Sequence, residues 1–278
     1  MPSTYAALAE RALCKVTDAP WGRVTWRVWG AGAPIVLLNG GTGSWLHWVR
    51  TIPAFESSYQ VLVPDLPGMG DSDAPKGIEP VEALVKAMGD AIFAGLEQLR
   101  PGVSPHVVGF SFGAMVGAFV GEHYGSSLGS FCMIGASGLG LGFPGPRGVR
   151  KFDANARPEE IRAVHRANMG AIMFGDAAHD DPEALEMQLI NAAKVRVRSH
   201  TAAVTEVMRQ PLAGMQGRML GLWGDRDPFF PSDQDALERQ MRLWSIPWDR
   251  VPNAGHWAQY QNAPFANAVI ADFIAAGP

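Results

Sequence analysis

The stretch His106-Val107-Val108-Gly109-Phe110-Ser111-Phe112-Gly113-Ala114-Met115-Val116-Gly117 decides how this chain folds. An apolar run of strand character enters a Gly-x-Ser-x-Gly turn, and small and apolar residues of helical character follow at once. Strand, sharp turn and helix in that order put the Ser111 hydroxyl at the C-terminal edge of a sheet, on a strained turn that exposes it. The pattern alone is weak, because at this glycine content it arises about 0.2 times by chance, and Gly125-Ser126-Ser127-Leu128-Gly129 repeats it. Context separates the two. Ser127 follows a helix end, Glu122-His123-Tyr124-Gly125, and precedes a strand, which is the reverse order. Ser111 is therefore the candidate nucleophile and Ser127 an ordinary loop residue.

Working outward, residues 23–29 alternate polar and apolar as a half-exposed strand, while 34–38 and 61–64 are short apolar runs ending at turn signals. Val81, Leu84, Met88, Ile92 and Leu96 give helical spacing within 78–99. After Ser111 a helix over 112–123 and a strand over 130–134 follow, and then the alternation stops at Ser137. Gly138-Leu139-Gly140-Leu141-Gly142-Phe143-Pro144-Gly145-Pro146 is rich in helix and strand breakers. Beyond it, 158–173 and 182–197 carry helical patterns without a buried strand. A strand at 219–223, a helix at 232–243, a strand at 248–251 and a helix at 264–274 restore the alternation. The expected architecture is α/β: a mostly parallel central sheet flanked by helices, with a core of residues 1–137 and 214–278 and a helical cap, or lid, inserted at 138–213.

Composition narrows the function classes. The chain has 278 residues with a formal net charge of −4 and no basic clusters, which gives little drive toward nucleic acid or anionic lipid. No stretch approaches the ~18 apolar residues of a membrane helix, and the N-terminus lacks the pattern of an export signal, so a cytoplasmic protein is expected. Cys14 and Cys132 are too few for a disulfide framework or a thiolate metal site, and both are expected to stay reduced. No His-Glu-x-x-His occurs, and Gly138-Leu139-Gly140-Leu141-Gly142 lacks the third spaced glycine and helix opening of a dinucleotide fingerprint. Neither metal nor cofactor is expected. The expected partner is a small molecule, and homo-oligomerisation stays open.

A serine hydroxyl is a poor nucleophile until a base takes its proton and a further group fixes the base's tautomer. Of seven histidines, only His47 and His256 fall in strand-end loops. His256, in Asn253-Ala254-Gly255-His256-Trp257, has the preceding glycine that a sharp turn favours. For the orienting acid, Gly224-Asp225-Arg226-Asp227-Pro228 follows the strand at 219–223 and holds two competing aspartates. Aspartate in a turn commonly caps backbone N–H groups, so one of the two is structural, and Asp227 is favoured over Asp225 as the orienting acid.

With Ser111, Asp227 and His256 in that chain order, the sequence resembles the α/β-hydrolase superfamily over nearly its whole length. The resemblance implies a Ser-His-Asp triad and an acyl-enzyme mechanism. It also implies an oxyanion hole from the backbone N–H groups of Gly41, in Asn39-Gly40-Gly41-Thr42-Gly43-Ser44-Trp45, and of Phe112. Asp227 takes the family acid's place in the Gly-x-x-Asp turn, and Pro64–Ser72 looks like the family's structural turn after the fourth strand. Gly255-His256-Trp257-Ala258-Gln259-Tyr260 looks like the matching segment of meta-cleavage-product hydrolases, which split a C–C bond in vinylogous diketone acids. Asn39, Gly40, Phe110 and Trp257 are then the substrate-binding candidates.

The sequence departs from that subgroup in several places. Phe110 replaces a common Asn, Asn39 a usual His and Gln261 a usual Glu. Arg196 and Arg198, in the helical pattern of the lid, are only ambiguous counterparts of its substrate-binding arginine. Ser111 stands where haloalkane dehalogenases and epoxide hydrolases place Asp, which argues against both activities. The expected function is hydrolysis of small carboxylic esters. C–C hydrolysis is the alternative, and a non-catalytic ligand receptor on the same fold the remote one.

Overall fold

The computed structural model describes residues 4–153, 155–176 and 178–277. Eight strands form one sheet in the order β1-β2-β4-β3-β5-β6-β7-β8. These are β1 (Leu13–Ala19), β2 (Gly22–Trp29), β3 (Ala33–Leu38), β4 (Tyr59–Pro64), β5 (His106–Phe110), β6 (Ser130–Ile134), β7 (Met219–Gly224) and β8 (Trp248–Val251). β2 pairs antiparallel with β1 and β4, and every other pairing is parallel. This is the expected mostly parallel α/β sheet.

The core explains why the central strands read as continuous apolar runs. Val36 and Leu38 of β3 face one cluster, with Val85, Met88 and Ile92 from α3 (Val81–Leu99) and Met115 and Phe119 from α4 (Phe112–Tyr124). Ile35 and Leu37, one residue out of phase, face a second cluster with Leu8 from α1 (Thr4–Arg11), Phe55 from α2 (Ile52–Phe55) and Ile270 from the last helix. A strand covered on both faces needs apolar residues at every position.

Several sequence expectations are corrected. The helix expected from residue 78 begins at Val81, because Pro80 occupies the N-cap with extended backbone and its ring disfavours helical backbone in the residue before it. β1 and α1 were not foreseen. β1 is an edge strand whose residues, Thr17 and the half-buried Ala19 apart, stay out of the core, so it carries no apolar alternation. Its one buried side chain, Thr17, accepts a hydrogen bond from Trp26 Nε1 at 2.8 Å.

Between β6 and β7 the described residues hold helices and no strand: α5 (Pro158–Ile172), α6 (Pro182–Ala192) and α7 (Arg209–Gly214). The pattern expected to stay helical to residue 197 leaves the helix at Ala192. From there the chain is held by the core, since Arg196 N–H donates to Gly68 O at 2.8 Å and its guanidinium donates to the carbonyls of Gly70 and Ser72. Arg196 and Arg198 are thus not helix charges. Lys194 pairs with Asp71 at 2.6 Å, and Asp71 also meets Arg27, which pairs with the buried Asp65 at 2.9 Å. Burial lifts the Asp65 carboxyl above the usual range, against the opposing pull of Arg27 and the N–H groups of Asp71 and Trp45.

After β7 come α8 (Gln234–Leu243), β8, the short α9 (Ala258–Gln261) and α10 (Ala263–Ala275). Asp233 caps α8 by accepting the Ala236 N–H at 2.8 Å. The parallel register sets Gly109 opposite Leu38 and Met133, and Ile134 opposite Leu222. The loops after β3, β5, β7 and β8 therefore leave the sheet at one edge, the edge at which α/β sheets bind ligands.

Candidate active site

Ser111 joins β5 to α4 with φ +52° and ψ −116°. For a residue with a Cβ this is strained backbone, and its surroundings hold it there. Ser111 N–H donates to Ile134 O at 2.8 Å, and Ser111 O accepts from Ala114 N–H at 2.9 Å. The flanking glycines are required by close approach: a Cβ on Gly109 would lie 2.5 Å from Gly113 O, and one on Gly113 would lie 2.3 Å from Leu38 O. Ser127, by contrast, is exposed in a short 3₁₀ turn (Gly125–Ser127) on the way into β6.

From Ser111 a line of hydrogen bonds runs inward. His256 Nε2 is 2.9 Å from Ser111 Oγ, and His256 Nδ1 lies 3.0 and 2.9 Å from the two carboxylate oxygens of Asp227. Both partners are buried, at 4% and 6% exposure, so water does not compete for the pair. Phe229 and Phe110 pack on the imidazole at 4.5 and 5.0 Å between ring centroids. Asp225 is spent elsewhere: it accepts the N–H groups of Asn253 and Ala254 at 2.9 and 3.1 Å, shaping the turn that carries His256. A hydroxyl donating to an imidazole whose other nitrogen donates to a carboxylate can lose its proton as it attacks an electrophile.

Above Ser111 lies a cavity of about 360 Å³ whose wall is mostly apolar, with Phe112, Met115, Ile172 and Phe229 among its sides. Gly41 borders it too, and a Cβ there would lie 2.5 Å from Ser199 Oγ. Among the described residues, neither Gly41 N–H nor Phe112 N–H, the latter in the first position of α4, has a protein acceptor. Two unpaired donors beside a hydroxyl suit an oxygen that gains negative charge.

The model of the alpha/beta hydrolase family matches residues 35–268, most of the chain and every loop just described. The chain belongs to the alpha/beta hydrolase family. This hydrolase is 26% identical over 276 residues to a 2-hydroxy-6-oxo-6-phenylhexa-2,4-dienoate hydrolase of Burkholderia cepacia, with 89% of this chain and 90% of that one covered. Its fold is shared with a putative aryl esterase from Burkholderia cenocepacia, with a TM-score of 0.74, 18% identity and coverage of 95% of this chain and 98% of that one. It is shared as well with a meta-cleavage product hydrolase from Pseudomonas fluorescens IP01, with a TM-score of 0.69, 19% identity and coverage of 94% and 97%.

Of the hydrolase's four substrate-binding candidates, Phe110 borders the cavity and Asn39, Gly40 and Trp257 do not. The Asn39 amide is turned into the protein, accepting Leu66 N–H at 3.1 Å and donating to Gly40 O at 3.0 Å. Trp257 is buried, with its indole N–H on His47 O at 3.0 Å. Sequence reasoning missed Ser137, Ser199, His200 and Phe229 on the cavity wall. Of these only Phe229 carried a signal, two residues after Asp227. Arg196 and Arg198 are not on the wall, and among the described residues no lysine or arginine is. No three His, Cys, Asp or Glu side chains among the described residues converge as a metal site, and no described helix is long and apolar enough to cross a membrane.

Proposed function

We propose that this enzyme is a serine hydrolase of small, uncharged carboxylic esters, working through Ser111, His256 and Asp227. The observation that carries the reading is the 2.9 Å contact between Ser111 Oγ and His256 Nε2 at the base of an apolar cavity whose wall, among the described residues, holds no lysine or arginine. His256 takes the Ser111 proton as Oγ attacks the ester carbonyl, and Asp227 holds the imidazole with Nδ1–H inward and stabilises its cation. The N–H groups of Gly41 and Phe112 receive the oxyanion. His256 returns the proton to the departing alcohol. Water, deprotonated by His256 in turn, then releases the carboxylic acid and restores Ser111. Residues 138–213 act as a helical cap that shapes the cavity, to which Ile172, Met173, Ser199 and His200 contribute.

C–C hydrolysis of a dienoate is the second reading, favoured by the relative from Burkholderia cepacia. Against it stands the acid such a substrate carries, because an unpaired carboxylate in an apolar site costs several kcal/mol and Arg196 is committed to backbone carbonyls. The test is a panel of neutral 4-nitrophenyl and phenyl esters beside anionic dienoate diketones, with mapping of the residue labelled by a fluorophosphonate. Ester turnover with the label on Ser111 is expected. Turnover of the anionic diketones alone would transfer the assignment to C–C hydrolysis, and a label on another residue would overturn the mechanism.

A further inference from the structure

The ester mechanism uses one of the two histidines in strand-end loops and leaves the other, His47, without a role. His47 sits in the turn Trp45–Trp48 after β3, 2% exposed. Its ring stands edge-on to Phe110 at 5.3 Å and to Trp257 at 5.1 Å, so it is packed between the residue before Ser111 and the residue after His256. Its carbonyl accepts the Trp257 indole N–H, which fixes its backbone to the same segment. On its third side the ring lies against the glycine loop, where a Cβ on Gly43 would fall 2.2 Å from His47 Cε1.

Within this clamp the ring makes one directed polar contact: Gly40 N–H donates to His47 Nδ1 at 3.2 Å. Gly40 N–H is thereby turned away from the cavity. The next N–H along the chain, that of Gly41, has no protein acceptor among the described residues and belongs to a residue on the cavity wall. An imidazole held by two aromatic rings presents its acceptor from one direction only, whereas a freely rotating hydroxyl would allow the peptide to swing. The acceptor must also stay unprotonated. Burial, with His256 close by, pushes the His47 imidazole down to about 3, so it is neutral wherever His256 works as a base.

We infer that His47 is a positioning residue of the ester hydrolysis, its Nδ1 fixing the Asn39–Gly40 peptide and, through Gly40, the orientation of the next one, so that Gly41 N–H meets the oxyanion. The inference rests on the serine-hydrolase reading above. It assigns to His47 the Nε2–H neutral tautomer, because Nδ1 accepts. Two properties of one side chain are thereby separated: the ring provides packing, and the nitrogen lone pair provides the positioning of the loop.

The test compares the parent with His47→Phe and His47→Asn, using 4-nitrophenyl acetate as substrate and phenylboronic acid as an inhibitor whose tetrahedral adduct places an oxygen in the oxyanion site. Phe keeps the ring and removes the acceptor. Asn removes the ring and offers an amide oxygen near the position of Nδ1. Expected for His47→Phe are a fall in kcat of about a hundredfold, as for a displaced oxyanion donor, KM within about threefold, and a parallel weakening of the boronate. His47→Asn should regain kcat to within about tenfold of the parent while melting at a lower temperature than His47→Phe. A residue that only packs would give the opposite order, with Phe near the parent and Asn inactive, and that order would overturn the inference.

A second measurement needs no variant. Nitrogen-15 spectra of the parent should show His47 neutral with Nε2 protonated at pH 5 to 8, and a protonated Nδ1 would overturn the inference even if His47→Phe fails to fold. A parent that neither takes fluorophosphonate at Ser111 nor cleaves the ester would sink the hydrolase mechanism itself, a result read without any His47 variant.

Discussion

Replacing Asp227 by Asn changes one atom and should disable the enzyme. Phe229 N–H donates to Asp227 Oδ1 at 2.8 Å, so the amide oxygen of Asn is drawn to that position and its NH₂ takes the place of Oδ2, 2.9 Å from His256 Nδ1. The NH₂ then faces Nδ1 at the shorter distance, 2.9 Å against 3.0 Å for the amide oxygen already accepting from Phe229, which favours Nδ1 as acceptor. The proton moves to Nε2 and points at Ser111 Oγ, and the base can no longer take the serine's proton. Loss of tautomer control in a Ser-His-Asp site costs about 10⁴ in kcat, roughly 5.4 kcal/mol of barrier at 1.36 kcal/mol per tenfold. Asp225→Asn removes one of two acceptors for N–H groups in the loop before His256. It should lower stability by about 1 kcal/mol and leave kcat within about fivefold. The assay is kcat on a 4-nitrophenyl ester, with a thermal melt to show that each variant is folded. Asp227→Asn within tenfold of the parent, or a deeper loss from Asp225→Asn, would refute the reasoning.

Ser111→Ala should abolish turnover and fluorophosphonate labelling while Ser127→Ala changes neither, since Ser127 is exposed on a surface turn; equal losses in two folded variants would remove Ser111 from its role. His47 is neutral when folded down to about pH 3 but titrates near 6.5 when unfolded. The unfolded chain therefore binds the extra proton, and this group's contribution, full above about pH 6.5, is lost as pH falls toward 3, by up to ~1.4 kcal/mol per pH unit. Denaturant titrations from pH 7 to 4 should show a flatter acid limb for His47→Asn than for the parent, and parallel limbs would contradict the burial of a neutral ring. Arg196→Gln removes contacts to the carbonyls of Gly70 and Ser72 and should lower the melting temperature, with kcat/KM for neutral esters within about threefold for it and for Arg198→Gln. A hundredfold loss confined to anionic diketones, about 2.7 kcal/mol, would favour the C–C reading.

What could be read from sequence followed how local the governing physics is. β6 is found at the expected residues, 130–134, because a buried parallel strand must be apolar and must stop at a turn, and the edge strand β8 is found at the expected 248–251, where Trp248 and the buried Val251 bracket two charged residues. Ser111 was legible because strand, glycine turn and helix are adjacent in the chain. β1 was not, since an exposed edge strand is held by backbone pairing with β2 and needs no apolar pattern. The end of α6 was hidden for another reason: Lys194-Val195-Arg196-Val197-Arg198 has an acceptable helical pattern, and only Asp71 and the carbonyls of 68–72, distant in sequence, draw it out of the helix. Asn39 lies two residues before Gly41 in sequence, yet Leu66 N–H claims its side chain. The cavity wall was the least legible part, because Ser137, Ser199 and Phe229 meet only across the fold.

β6 and β7 are neighbours in the sheet, with Phe131 opposite Met219 and Ile134 opposite Leu222. The strands are parallel, so the connection as a whole crosses the sheet, but within it Gly138 N–H donates to Ala203 O at 3.1 Å and Gly138 O accepts from Met208 N–H at 3.0 Å, so the segment from 138 to 203 begins and ends at almost one point, as an open loop does. The entropy of closing such a loop rises only with the logarithm of its length, about 0.6 kcal/mol for each doubling. Its length can thus change widely over evolutionary time with little penalty to folding, while Ser111 and Asp227, on either side of its anchor points, stay in register. If this segment is the cap proposed above, diversification of specificity is thereby uncoupled from preservation of the reaction, and grafting a foreign segment between residues 138 and 203 is the natural route to a new substrate on this sheet.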